Sequence, residues 1–344
     1  MSFINKPLGW ILSTIASGFN GNFAVAVFIF TVIINIILIP LSIKSQKSSM
    51  QQTRVKPKLD ELKKRCGDDR QKYSQGMQEI YSQEGVSMSG GCLPMILRLI
   101  LMMCIYSVIL SPLVYLSGAD SDKIKNVDNV ISSAMADLKK ENKEEYDKKV
   151  AITGWKEKNG RNQLNIIGII RSDDDVLDGV LDEKEYAKVE NDLADIKKKD
   201  SESNIDYTFI SKKINLTETP KFSFDIFGAF KPIWLMPLIA FLSQLLSSYM
   251  SLKMQKKINP DAPSMAGMMY TMPLISLFIG FGLPGGVSFY WACSSLIGGF
   301  IQVGVQYFYG PFKMLSNERK KELLKQCDFE AGQIKKLGTA DTEN

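Results

Sequence analysis

Five stretches of this chain are continuous apolar runs of bilayer-crossing length, and the segments between them are strongly polar. A hydrocarbon core about 30 Å thick takes about 20 residues of helix, and residues 23–43, 92–116, 231–252, 265–282 and 286–307 each supply such a run or come close to it. Apart from Lys231 at the edge of the third run, the only charge inside them is Arg98. The fourth and fifth runs are joined by Leu283, Pro284, Gly285 and Gly286, a turn that makes them a hairpin. The pattern predicts an all-α polytopic membrane protein with five transmembrane helices.

The polar segments carry their own periodicities. In residues 1–22, Leu8, Ile11, Leu12, Ile15 and Phe19 recur at alternating spacings of three and four, with Trp10 beside them, giving a helix with one apolar face. Such a helix lies in the membrane interface or packs on the other spans. Residues 44–91 alternate Lys and Arg with Glu and Asp around Leu59, Leu62, Tyr73, Met77, Ile80 and Tyr81, and break near Gly67. This predicts a protruding helical hairpin, although a charge run of this kind also serves simply as a solvated face. Residues 117–225 form a long polar insertion between the second and third spans. Within it residues 164–170 (LNIIGII) read as a buried strand between charged helical stretches, so the insertion is expected to be a small α+β domain.

Charge sets the expected orientation, because short cytoplasmic loops collect Lys and Arg. Residues 42–91 hold 10 Lys and Arg against 6 Asp and Glu, and the loop 253–264 carries Lys253, Lys256 and Lys257 against Asp261. Both are expected in the cytoplasm, together with the basic tail 308–344. The N-terminus and the insertion then lie outside. The insertion is mildly acidic, with 23 acids against 19 bases in residues 117–221. The basic region of a cleavable signal peptide is reduced to Lys6, so the first span is expected to stay in the mature protein.

Composition removes several kinds of chemistry. With no histidine there is no His metal site and no Ser-His or Cys-His pair. The 5 cysteines are scattered without C-x-x-C spacing, which argues against a zinc cluster or a disulfide framework. The spans hold no Asp or Glu, which removes an intramembrane aspartyl protease and weakens a channel or transporter. These absences leave none of those catalytic or cofactor sites in the sequence. Residues 174–185 (DDVLDGVLDEKE) match a calcium loop in part, but Val176 stands where an oxygen ligand belongs, and a helix start at Asp182 and Glu183 is the better reading.

Arg98 is the residue with the most to explain. A charge within a span costs roughly 2.5–3.5 kcal/mol on insertion scales, and no carboxylate in any span can pair with it. It lies about 8 Å in from Leu93, and Asn35 lies about 12 Å in from Ile43, so the two sit at comparable depth. Either Arg98 snorkels to the headgroups, or it charges a wet pocket in the inner leaflet. Ser243, Gln244, Ser276, Ser288, Ser294 and Gln302 add polarity to the other spans.

Three runs carry a family likeness: residues 31–48 (TVIINIILIPLSIKSQKS), 84–94 (EGVSMSGGCLP) and 272–291 (MPLISLFIGFGLPGGVSFYW). In this order they resemble the YidC/Oxa/Alb family of membrane protein insertases. Without a large domain before the first span, the chain resembles the Gram-positive kind. The resemblance implies a five-helix core around a hydrophilic groove open to the cytoplasm and to lipid. It implies insertion of nascent membrane proteins without nucleotide or metal, in a bacterial plasma membrane. The ribosome, the targeting machinery and the Sec translocon are the implied partners, with no specific nucleic-acid sequence read.

The family carries an arginine in the first span and a glutamine after its Gly-Gly-Cys-Leu-Pro run. Here those positions hold Asn35 and Arg98, which reads as an exchange of charge between facing groove walls. The resemblance places Gln244, Tyr290, Trp291 and Ser294 along the groove. It makes Lys58, Lys63, Lys64, Arg65, Lys320 and Lys321 candidates for cytoplasmic contacts. A non-catalytic assembly scaffold remains as an alternative, since it needs the same fold without a working groove.

Overall fold

The computed structural model describes residues 2–67, 69–86, 93–153, 155, 162–172, 174–210, 213–220, 231–258, 266–309, 320 and 324. In chain order the elements are α1 (Ser2–Gly18), α2 (Phe23–Ile37), α3 (Ile39–Cys66), α4 (Arg70–Gln83), α5 (Leu93–Leu110) and the single turn α6 (Pro112–Tyr115). The insertion follows with α7 (Ser121–Glu141), α8 (Lys143–Thr153), α9 (Asn162–Ile170), α10 (Glu183–Ser203) and the strands β1 (Thr208–Phe209) and β2 (Ile214–Asn215). The chain then continues with α11 (Leu235–Ile258), α12 (Ala266–Gly282) and α13 (Gly285–Tyr309).

Among the described residues, two helical segments, Pro232–Met254 and Gly285–Tyr309, are long and apolar enough to cross a membrane. A third is formed if the broken pair Phe23–Ile37 and Ile39–Ser48 makes one span, and Leu99–Leu110 and Tyr270–Phe281 are shorter apolar helices. The first apolar run breaks at Leu38, two residues before Pro40 in the first turn of α3. Proline has no N–H to donate and suits the first turn of a new helix. Serine and proline at 111 and 112 likewise divide the second run into α5 and α6. Exposed large side chains such as Phe278, Phe300 and Leu242 on these helices are what a lipid-facing surface requires.

The structure forms two compact units. The larger comprises residues 1–36, 97–248 and 265–298. Its core is one apolar cluster running from Leu8 and Leu12 of α1 through Phe23, Val27 and Phe30 of α2 and Ile105 and Ile109 of α5. The same cluster continues into Ile131, Ile166 and Ile196 of the insertion and reaches Met236 and Val287. The insertion therefore shares a core with the ends of the apolar helices. Helix α1 packs Leu8, Leu12 and Ala16 into the core and leaves Phe3 and Trp10 exposed, which bears out packing on the other helices.

Within the insertion α7 pairs with α10, and α9 lies between α6, α7 and α8. The expected strand at 164–170 is instead helix α9. Its run has no period because Asn165, Ile166, Ile167, Ile169 and Ile170 are all buried, and a helix covered on every side carries no amphipathic signal. Gly168 lets it approach α8, since a Cβ there would lie 2.0 Å from the Thr153 carbonyl oxygen. Among the described residues, the β content of the expected α+β domain is the antiparallel pair β1–β2, with Thr208 opposite Asn215 and Phe209 opposite Ile214. Asp182 opens α10 with a capping box, its carboxylate accepting from the Glu185 N–H while the Glu185 side chain accepts from the Asp182 N–H.

The smaller unit comprises residues 37–96, 249–264 and 299–344. Its described part is dominated by α3 packed antiparallel on α4 as a hairpin. Helix α4 starts at Asp69, whose side chain accepts from the Lys72 N–H, and Lys58 forms an ion pair with Glu84 across the two helices. Helix α3 begins at Ile39, five residues before the expected hairpin boundary at 44, because after the break at Leu38 the last residues of the apolar run and the polar segment form one continuous helix.

Candidate substrate groove

Polar side chains on apolar helices find partners or remain as unspent hydrogen-bonding capacity, and this chain shows both outcomes. Asn35 on α2 is 5% exposed and donates Nδ2 to the Thr31 carbonyl oxygen at 2.9 Å. Thr31 in turn donates Oγ1 to the Val27 carbonyl oxygen at 2.6 Å. Both side chains are thus held back along their own helix. Arg98 is on α5, and its side chain lies outside the described residues.

Helices α11, α12 and α13 bring a second polar group together. Ser276 Oγ donates to Gln244 Oε1 at 2.9 Å and lies 2.8 Å from the Pro273 carbonyl oxygen. Gln244 Nε2 is buried with no partner among the described residues, and so is Ser288 Oγ, on a residue with 0% exposure. Close approach is enforced nearby: a Cβ on Gly280 would meet the Pro237 Cβ at 2.9 Å and Ser288 Oγ at 3.4 Å. Gln244 on α11 and Ser288 on α13 thus each carry a buried hydrogen-bonding atom left without a partner among the described residues.

Of the other groove candidates, Trp291 and Ser294 are half-buried on α13, while Tyr290 is 5% exposed within the apolar cluster. In the smaller unit Gln302 donates Nε2 to Gln46 Oε1 at 3.2 Å. Gln46 was not among the sequence candidates. It reads as part of the polar hairpin until the helix carrying it is seen to start at Ile39.

The cytoplasmic candidates are solvated. Lys63, Lys64 and Lys320 are exposed, and Arg65 sits 3.8 Å from Glu61; exposed pairs of this kind contribute about 0–1 kcal/mol. Lys321 lies outside the described residues. Among the described residues no group of three or more Cys, Asp or Glu side chains is placed to hold a metal ion.

The profile of the 60Kd inner membrane protein family matches residues 15–158 and 205–311. Among curated proteins, the chain is 40% identical over 108 residues to the membrane protein insertase YidC of Ectopseudomonas mendocina, covering 31% of this chain and 18% of that protein. It is 44% identical over 105 residues to the membrane protein insertase YidC of Aeromonas hydrophila and, over the same length, to that of Vibrio cholerae, covering 30% of this chain and 19% of each relative. The chain thus spans about a fifth of the length of these relatives. The profile covers more than two thirds of the chain, including the residues on both sides of the insertion. A multi-pass helical architecture and this match together show that the chain is a bacterial membrane protein of the 60Kd inner membrane protein family, the YidC/Oxa/Alb family.

Proposed function

We propose that this protein inserts other membrane proteins into the bilayer through a hydrophilic groove bounded by α2, α5, α11 and α13. The observation that carries the reading is the pair of unpartnered buried atoms, Gln244 Nε2 and Ser288 Oγ, on helices that the family match includes. Five spans cross the membrane, with the N-terminus and the insertion outside, and with the α3–α4 hairpin and the basic tail in the cytoplasm. The basic loops support this orientation.

Arg98 supplies the groove's charge and Asn35 stands opposite it. A nascent protein's short acidic tail is attracted to a cation whose field is strengthened by low-dielectric walls. It then rests among polar groups instead of bare lipid, which lowers the barrier to crossing. The apolar segment slides out past α11 and α13 near Trp291, driven by transfer of its side chains into lipid. No covalent step and no cofactor takes part. Lys58, Lys63, Lys64, Arg65, Lys320 and Lys321 present a basic cytoplasmic face to the ribosome, the targeting machinery and the Sec translocon, and the same charge attracts anionic headgroups.

Wetness of the groove is tested by Arg98→Cys in a chain whose native cysteines are replaced. A membrane-impermeant thiol reagent added to inside-out vesicles should label position 98. An inert thiol at 98, with a loop cysteine in the same vesicles labelled normally, would show a dry interior and favour a scaffold.

A further inference from the structure

A helix leaves its first N–H groups without intrahelical partners, and two of the apolar helices that begin on the side of the insertion, α2 and α13, solve this in the same way. At the start of α2, the Phe23 N–H donates to the Asp206 carbonyl oxygen at 3.0 Å, and the Asp206 N–H returns a bond to the Gly21 carbonyl oxygen at 2.8 Å. Asn22 and Asp206 pair as a parallel bridge. At the start of α13, the Gly285 N–H donates to the Glu218 carbonyl oxygen and the Gly286 N–H to the Leu216 carbonyl oxygen, both at 2.7 Å. The acceptors 206, 216 and 218 are the two shoulders of the β1–β2 hairpin.

Side chains reinforce each junction. Tyr207 packs edge-on to Phe23 with ring centroids 5.3 Å apart, and Phe209 lies 5.0 Å from Phe289 of α13. Ile205, Tyr207, Ile214 and Leu216 are all buried. Behind the hairpin, Arg171 holds Asp200 by two bonds, Nε to Oδ2 at 2.7 Å and a terminal nitrogen to Oδ1 at 2.9 Å. It donates a third to the Ile205 carbonyl oxygen at 3.1 Å and lies over the Tyr207 ring at 4.8 Å. One guanidinium therefore fixes the end of α10, the chain entering the hairpin and the ring that touches the first residue of α2.

We infer that the insertion functions as a fixed clasp: its β1–β2 hairpin joins the outer ends of α2 and α13, so that these helices stay together on that side and the outer end of the groove stays closed during insertion. The clasp rests on the proposed insertase reading for its purpose, and on backbone hydrogen bonds for its existence. Capping two helix starts by carbonyl groups of one hairpin also places partial negative charge at both positive helix ends, which keeps the contact favourable without any charged side chain.

The test uses the full chain in proteoliposomes with three readouts. First, amide exchange at Phe23, Asp206, Gly285 and Gly286 is compared in the native chain and in Arg171→Gln. Slow exchange in the native chain is expected, with at least about tenfold faster exchange in the variant and no change at mid-α13 amides. Equal rates would overturn the latch role of Arg171. Second, Asn22→Cys with Asp206→Cys, in a chain free of other cysteines, is oxidised to lock the junction. A fixed clasp inserts a single-span substrate equally well oxidised and reduced, whereas arrest on oxidation would show a moving lid and overturn the proposal. Third, Arg171→Gln should raise the passive leak of a small anion, and an unchanged leak would remove the sealing role. If neither form of the double-cysteine chain inserts anything, the insertase reading fails, while exchange and leak still decide the clasp.

Discussion

Three glycines separate two costs that are usually merged, and the clasp gives the result its meaning. Gly179 has φ +74 with nothing within 4 Å of an added Cβ, so Gly179→Ala carries only the left-handed backbone penalty of about 1–2 kcal/mol. Gly168 has no positive φ, but its Cβ would stand 2.0 Å from the Thr153 carbonyl oxygen; forcing α8 and α9 apart costs about 1–3 kcal/mol, as overpacking does. Gly21 combines both, with φ +76 and a Cβ 1.7 Å from the Asn204 carbonyl oxygen. Relief of that clash moves the chain at 204 to 206 away and weakens two backbone bonds worth about 1 kcal/mol each net. Gly21→Ala should therefore cost about 3–5 kcal/mol, the sum of these terms with partial relaxation. Helical circular dichroism followed through a denaturing-detergent titration gives the three values, and exchange at the Asp206 amide reports the junction itself. A Gly21→Ala cost within about 0.5 kcal/mol of Gly179→Ala, with Asp206 exchange unchanged, would refute a rigid contact at this point.

Further expectations concern the insertion and the groove. Burial raises the Asp128 carboxyl above its ordinary value, with hydrogen bonds from Ser132 and Asn162 offsetting part of the effect. The unfolded chain then gives up this proton at lower pH than the folded one, so this group's contribution falls as pH rises through the window above 3.8. The stability difference between native chain and Asp128→Asn should accordingly favour the variant more at pH 7 than at pH 4, and an identical difference at both would contradict it. Asp182→Ala removes the capping box of α10 and should cost about 1 kcal/mol, read in the same titration; no change would mean α10 is held by packing alone. Gln244→Leu, which fills the site without a free donor, should slow insertion of substrates with polar tails more than of purely apolar ones, and equal slowing would assign Gln244 a packing role.

What the sequence made legible follows the physics of each signal. Apolar runs need only length, so the positions of α2, α5, α11, α12 and α13 were readable from the chain. Their breaks at Leu38 and Ser111 lay within reach too, since Pro40 and Pro112 stand beside them. Helix α9 reads as a strand in the sequence because burial on most sides erases periodicity, and Ile-rich runs suit either element. The hairpin β1–β2 was invisible because two-residue strands carry no alternation. At the site, Gln244 and Ser276 stood out as polar residues in apolar runs, but their partnership depends on how α11 and α12 pack. The Arg171–Asp200 fork was lost among the insertion's many surface charges, since only the fold tells a buried pair from a solvated one. Of the groove candidates, Tyr290 joins the apolar core; Gln46, which is not one of them, meets Gln302 only through the folding of α3 from Ile39 onward.

In the proposed groove, charge has passed from the first span to the second. This transfer is tested most directly by reconstituting the native chain, Arg98→Gln, and the double change Arg98→Gln with Asn35→Arg, and measuring protease-protected insertion of a small single-span substrate with an acidic tail. Insertion should be lost in Arg98→Gln and recovered in the double change. Equal insertion by all three chains would contradict it and leave hydrophobic sliding as the sole driving mechanism.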